Sequence, residues 1–456
     1  MGILNDIFYF LIVIGILVFI HEFGHFISAR MCGIRAEVFA FGMGFRLFGY
    51  NRINGFTFGK LDENIELGNH TDYRICAFPI GGFVKVAGMI DESMDKSFVN
   101  TEPQPWEYRS KSVWKRMIVI TAGVIMNVIL AFAIFYFLNI AKGKALVDTT
   151  VIGYVQKNSI AYDVGLEPGD KILKINNDEI KYWDDIRNAV FIDNMGESIT
   201  IEILRSGDVE DIKIPKEKLN ISGDKDLGIS TGQIVPVINS VSKGKPADSV
   251  GITKGDIIVS FADEKIVNTL QLIDLIKSNV NNEVEISWTR NEVTKTAYVR
   301  PLLDSTIGIE ISSKYEGPIK EIKYNVITAV PKAGQDLYYY GIEIFFKSIA
   351  KIIKGDIPFQ KAIGGPIKIA QASAQSAEGG FFTFIYFVAL LSMSLAVINI
   401  LPFPALDGGH FIILILEAIF KKPVPFKIQE VIQKVGFALL IALLLFVIYN
   451  DIMSLK

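Results

Sequence analysis

The sequence predicts a multi-pass α-helical membrane protein with four transmembrane helices, two extracytoplasmic α+β domains and a membrane-associated β-hairpin or sheet. Three observations carry this: four long apolar stretches, an internal repeat between the second and third of them, and a glycine-flanked alternating run, GGFVKVAG, between the first and second. A helix needs about 20 consecutive apolar residues to cross a bilayer. The stretches fall at about 7–29, 117–140, 381–401 and 431–449. The 456-residue chain is 50% hydrophobic, with a mean hydropathy of +0.36, too apolar for an ordinary soluble enzyme. Its net charge of -3 and lack of a long Lys/Arg tract point to no nucleic-acid partner, and the apolar stretches make the lipid bilayer the expected one.

Asp6 is the only charge before His21 and no small-residue cleavage site follows, so the first stretch reads as a retained span rather than a signal peptide. Arg30, Arg35, Arg46, Arg52, Arg74, Lys111, Lys115 and Arg116 lie between the first two spans. Lys421, Lys422, Lys427 and Lys434 lie between the last two. The positive-inside rule makes both connections cytoplasmic, with the termini and residues 141–380 outside. Cys32 and Cys76 then face the reducing side and are expected to be unpaired. Residues 337–353 are apolar but hold Glu343, Lys347 and Lys351. They are expected to form an interfacial helix, the alternative being a fifth span with those charges paired or wet.

In the outer region, residues 151–173 align without a gap on 237–259. Ala161, Gly165 and Gly169-Asp170 match Ala247, Gly251 and Gly255-Asp256. Each copy reads as strand, short helix, Gly-Asp turn and strand, with glycine where a turn needs positive φ. A long period seen twice indicates two tandem domains rather than a solenoid. These residues resemble PDZ domains in the circularly permuted bacterial arrangement. That implies possible peptide ligands bound by strand addition, or a spacer that filters bulky substrates. The expected segments are 1–30 (first span), 31–116 (cytoplasmic β region), 117–140 (second span), 141–222 and 223–305 (the two PDZ-like domains), 306–380 (interfacial helices), 381–410 (third span) and 411–456 (cytoplasmic connection and fourth span).

The chemistry is concentrated in HEFGH, residues 21–25. Residues four apart on a helix lie one turn along the same face, so His21 and His25 can share one zinc with Glu22 beside them as general base. Such groups at membrane depth mark function. Catalytic zinc takes three protein ligands. The third is expected from NILPFPALDGGH (399–410), as Asp407 or His410. Both the histidine pair and this stretch fall at cytoplasmic span ends, Pro402 and Pro404 break the helix, and Gly408-Gly409 free the backbone. His70 reads as a solvated loop residue.

HEFGH, the tandem repeats and NILPFPALDGGH together resemble the site-2 protease family over essentially the whole chain, with GGFVKVAG and IAQASA (369–374) also similar. The resemblance implies a zinc-dependent intramembrane metalloprotease with His21, His25 and Asp407 as ligands and Glu22 as catalytic acid/base. It implies that Asn399 serves substrate or oxyanion, and that Asn127 (of Gly123-x3-Asn127), Pro402 and the strand at Gly82, Phe83 and Val84 bind substrate. Val124 stands where the family usually has proline. The edge strand would clamp an unwound helix, whose amides must be freed before cutting. The implied substrate is a single-span membrane protein already trimmed outside, such as an anti-sigma factor, or a remnant signal peptide. The implied location is the bacterial inner membrane, with the PDZ pair in the periplasm. A non-catalytic membrane-tethered PDZ adaptor has no use for a base beside two metal ligands, and a metal transporter would spread its histidines over several spans.

Overall fold

The computed structural model describes residues 3–61, 67–89, 101–194, 197–219, 227–354, 360 and 364–454. The chain begins with α1 (Ile3–Met31), then β1 (Ala36–Asn51), β2 (Gly55–Phe58), β3 (Asp72–Val86) and α2 (Val113–Lys142). The middle holds β4 (Lys144–Val147), β5 (Ile152–Val155), α3 (Ile160–Asp163), β6 (Lys171–Ile175), β7 (Asp178–Glu179), α4 (Trp183–Asn188), β8 (Ile199–Arg205), β9 (Asp208–Ile214) and β10 (Ile229–Thr231). It continues with β11 (Ile234–Val241), α5 (Pro246–Ser249), β12 (Ile257–Phe261), β13 (Glu264–Lys265), α6 (Thr269–Ser278), β14 (Val284–Arg290), β15 (Val293–Val299), β16 (Ile309–Tyr315) and β17 (Ile319–Ile322). The end holds α7 (Ala329–Leu337), α8 (Ile344–Lys354), α9 (Pro366–Glu378), α10 (Phe381–Ile400), α11 (Asp407–Phe420) and α12 (Phe426–Ser454). The chain divides into a mostly helical unit (1–143, 323–348, 362–456) and a sheet-rich unit (144–322, 349–361).

In the helical unit, α1, α2, α10 and α12 are long and apolar enough to cross a membrane. Val13, Leu17 and Val388 form one buried cluster between them, and Ala131, Phe135, Ala389 and Met393 another. Residues 337–353 are not among these four helices. Tyr338–Glu343 form a wide helical turn joining α7 to α8, and Glu343 pairs with Lys347 at 2.9 Å. The sheet of this unit runs β2-β1-β3, all antiparallel, with Phe41 opposite Gly82, Ala40 opposite Phe83 and Phe39 opposite Val84. β3 is an edge. Buried Arg46 anchors the sheet by pairing with Asp72 at 3.2 Å. Both cysteines are free.

The sheet-rich unit holds two bodies. The first has a four-stranded sheet, β7-β6-β8-β9, and a β5-β10 pair around an isoleucine core of Ile172, Ile175, Ile201 and Ile203. The alternation in β8, ITIEILR, puts Ile199, Ile201 and Ile203 on one buried face. The second body is built on β15-β14-β12-β11-β16, with Phe261, Leu272 and Ile286 buried. Its last strand, β16, ends at Tyr315, so this body runs beyond residue 305, where the sequence expectation closed it. The detectable repeat stopped at residue 259, leaving the later strands with no signal to fix an end. The expected boundary at 222/223 falls on residues outside those described, but Leu227, Ile229 and β10 belong to the first body, so that body runs past it into the expected second domain.

The duplication goes deeper than the aligned motif. In the first body Arg205 holds Asp170 through two hydrogen bonds of 2.7 Å and reaches Gly165 O at 2.7 Å. In the second, Arg290 holds Asp256 through two of 2.7 Å and reaches Gly251 O at 2.6 Å. Both aspartates are buried and also accept a backbone N–H, from Glu167 and Thr253 respectively.

Candidate metal centre

α1 and α2 pack closely because each has a glycine at the crossing. A Cβ on Gly24 would strike the Ala122 carbonyl, and one on Gly123 would strike the rings of His21 and His25. The helices run antiparallel here, so positions 119, 123 and 127 of α2, one turn apart on one face, meet His25 and then His21. His25 Nδ1 lies 2.8 Å from Val119 O, and His21 Nδ1 lies 3.2 Å from Asn127 Nδ2.

The other side of the cluster comes from the break between α10 and α11. Pro402 and Pro404 prevent α10 from continuing. Residues 401–406 turn the chain, with Ala405 at φ 71°, a left-handed conformation uncommon for a side-chain-bearing residue. Gly408 has no room for a Cβ against the backbone of Ile400 and Leu401. This tight return puts Asp407 at the first turn of α11, where a carboxylate suits the helix dipole.

His21, His25 and Asp407 therefore converge. His21 Nε2 is 3.2 Å from Asp407 Oδ2, His25 Nε2 is 3.4 Å from it, and the two Nε2 atoms are 3.2 Å apart. A tetrahedral zinc with bonds of about 2.0–2.1 Å requires ligand atoms about 3.3 Å apart. Asp407 Oδ2 is buried and in none of these contacts has hydrogen-bond geometry. Three donor atoms with zinc spacing, one of them an orphaned carboxylate oxygen, fit the metal.

Glu22 lies beside the triangle, in the wall of a cavity of about 90 Å³ that also includes Phe83, Val84, His410 and Gln433. Val84 and Glu22 share this wall. A Cβ on Gly82 would sit 3.5 Å from Glu22 Cγ. The edge of β3 thus runs past the glutamate. Asn399, in the last turn of α10, and Pro402, in the break, do not line this cavity, and neither do Gly82 and Asn127. His410 is in the wall but is not one of the three grouped ligands. Its Nε2 lies 3.3 Å from Gln433 Nε2. Gln433 was missed in the sequence. It sits with Lys427, Gln429, Glu430 and Lys434 in the polar start of α12, where one more amide gives no signal of its own.

Comparison with known proteins agrees with this geometry. The model of peptidase family M50 matches residues 9–443. The regulator of sigma-E protease RseP of Escherichia coli strain K12 is 30% identical over 466 residues, 98% of each chain. The regulator of sigma E protease of Haemophilus influenzae is 30% identical over 469 residues, again 98% of each. Among solved structures, the PDZ domain of an SdrC-like protein from Listeria monocytogenes is 25% identical over 18% of this chain and 90% of its own, with a TM-score of 0.16. The family match takes in both halves of the histidine–aspartate cluster and everything between them, and the chain belongs to peptidase family M50, as a zinc metalloprotease of regulated intramembrane proteolysis.

Proposed function

We propose that His21, His25 and Asp407 hold the catalytic zinc and that Glu22 moves the proton. The single observation that carries this reading is the near-equilateral spacing of 3.2, 3.2 and 3.4 Å among the three donor atoms. Zinc at such a site supplies Lewis acidity, polarising an amide carbonyl and acidifying water. The Glu22 carboxylate takes a proton from water and returns it to the leaving amine nitrogen. The free edge of β3 at Gly82, Phe83 and Val84 pairs with an unwound stretch of substrate, fixing the scissile carbonyl against Glu22. Asn399 and Pro402 keep the roles the resemblance gives them, toward parts of a substrate longer than the cavity.

The two sheet-rich bodies act as PDZ-like domains on the periplasmic side of a bacterial inner membrane. Their shared strand–helix–Gly-Asp order and duplicated Asp–Arg lock support one fold used twice. The basic connections between spans support the orientation. The substrate is a single-span membrane protein trimmed on its outer side. An anti-sigma factor is the class suggested by relatives named regulators of sigma-E protease.

Glu22→Gln tests the reading. Cleavage of a model single-span substrate should vanish while metal analysis still finds zinc. Undiminished turnover would eliminate Glu22 as the proton carrier. A cysteine placed at Lys157 should label from outside intact cells, and labelling only after lysis would reverse the orientation.

A further inference from the structure

His21 poses a tautomer problem that the ligand triangle does not solve. For Nε2 to offer its lone pair to a metal from a neutral ring, the ring proton must sit on Nδ1, and a buried N–H needs an acceptor. His25 has one in Val119 O, 2.8 Å from its Nδ1. Among the described residues His21 Nδ1 has only the Asn127 carboxamide, whose Nδ2 is 3.2 Å away. In that orientation two donors face each other, while Asn127 Oδ1 is buried with no partner among the described residues. The two ends of a carboxamide have nearly the same shape and exchange by a half-turn about the terminal bond. After it, Oδ1 accepts from His21 Nδ1–H and Nε2 is left bare.

We infer that Asn127 is a positioning residue for the metal: its Oδ1 holds His21 in the Nδ1–H tautomer and fixes the ring so that Nε2 faces His25 and Asp407. This rests on His21 being a zinc ligand. Asn127 is placed to do it. It is fully buried, and Ser392 Oγ of α10 donates to its backbone carbonyl at 2.8 Å, tying this turn of α2 to a third helix. It sits one turn beyond Gly123, the position that leaves room for both rings. Val119 O and Asn127 Oδ1 are then matching acceptors, two turns apart on one face of α2, for two histidines one turn apart on α1. Partners of this kind typically contribute about 10–100-fold to metal affinity.

The test is zinc affinity of the purified full-length protein, measured by chelator competition, for wild type, His21→Ala, Asn127→Leu and Asn127→Asp, beside the visible spectrum of the cobalt-substituted forms. Asn127→Leu removes the acceptor and should weaken zinc about 10–100-fold with an altered cobalt spectrum. Asn127→Asp restores an acceptor and should bind at least as tightly as wild type. If Asn127→Leu does not fold, Asn127→Ala replaces it with the same expectation. Wild-type affinity in the acceptor-less variant, or equal weakening in the aspartate variant, overturns the inference. Unchanged zinc in His21→Ala would instead sink the ligand assignment beneath it.

Discussion

Buried carboxylates are treated in two ways in this protein. Asp170 and Asp256, in the sheet-rich bodies, are each held by an arginine fork and a backbone N–H, so both oxygens are satisfied. Asp407, in the helical unit, has an oxygen buried against two imidazole nitrogens with no hydrogen bond to answer it. A buried charge with all its partners locks a fold, whereas one left short is stabilised by something else that the site is built to receive. The same residue type therefore marks architecture in one unit and chemistry in the other, and the environment of its oxygens makes the distinction.

Substitutions can break this contrast. Asp407→Ala should give the largest effect: zinc content of the purified protein and cleavage should both collapse, by more than the roughly 10–100-fold that loss of a supporting partner costs. Melting of the sheet-rich unit should not change. Asp170→Ala should do the reverse. Losing the buried acceptor of the fork should destabilise the first body by about 1–3 kcal/mol, with Arg205 left to Glu167, Glu210 and Gly165 O, read as lost hydrogen-exchange protection in β6 and β8 with zinc retained. Zinc loss there would mean that the two roles are not separable. Gly123→Ala pushes a methyl into the histidine rings and should weaken zinc binding while costing about 1–3 kcal/mol in packing. An unaltered site would show that α1 and α2 separate more easily than their glycines suggest.

The smallest effect is a dependence on pH. Burial raises the Asp170 carboxyl, but hydrogen bonds from Arg205 and Glu167 N–H and the guanidinium charge outweigh it, and the net shift is downward. Asp256 is lowered against the same burial by Arg290 and Thr253 N–H. A carboxylate depressed in the folded state contributes fully above its unfolded value of about 4, and that stability is lost as pH falls through the folded value. Exchange protection of both bodies should be flat from pH 7 to 5 and decline below about 4. A decline already complete at pH 5 would contradict the lock.

Much of this was legible in the chain because it depends on local pattern. The spans follow from apolar length. His21 and His25 share a helix face by spacing alone, with Glu22 next to them in the chain. Gly169-Asp170 and Gly255-Asp256 announce a turn used twice. The Arg205–Asp170 pair was not legible: the arginine comes from a strand 35 residues later, where the two copies have diverged. For the same reason the end of the second body at Tyr315 was missed.

The sequence by itself determined which residues possess zinc chemistry and which segments are apolar enough for lipid, since composition and periodicity are properties of the chain. Only the tertiary structure decided that Asp407 Oδ2 comes within 3.4 Å of both Nε2 atoms, that Val119 and Asn127 face the far sides of the rings, and that Gln433 reaches the same cavity. These relations join helices distant in the chain, and they are set by how closely glycine lets those helices approach, a packing outcome that no local pattern encodes.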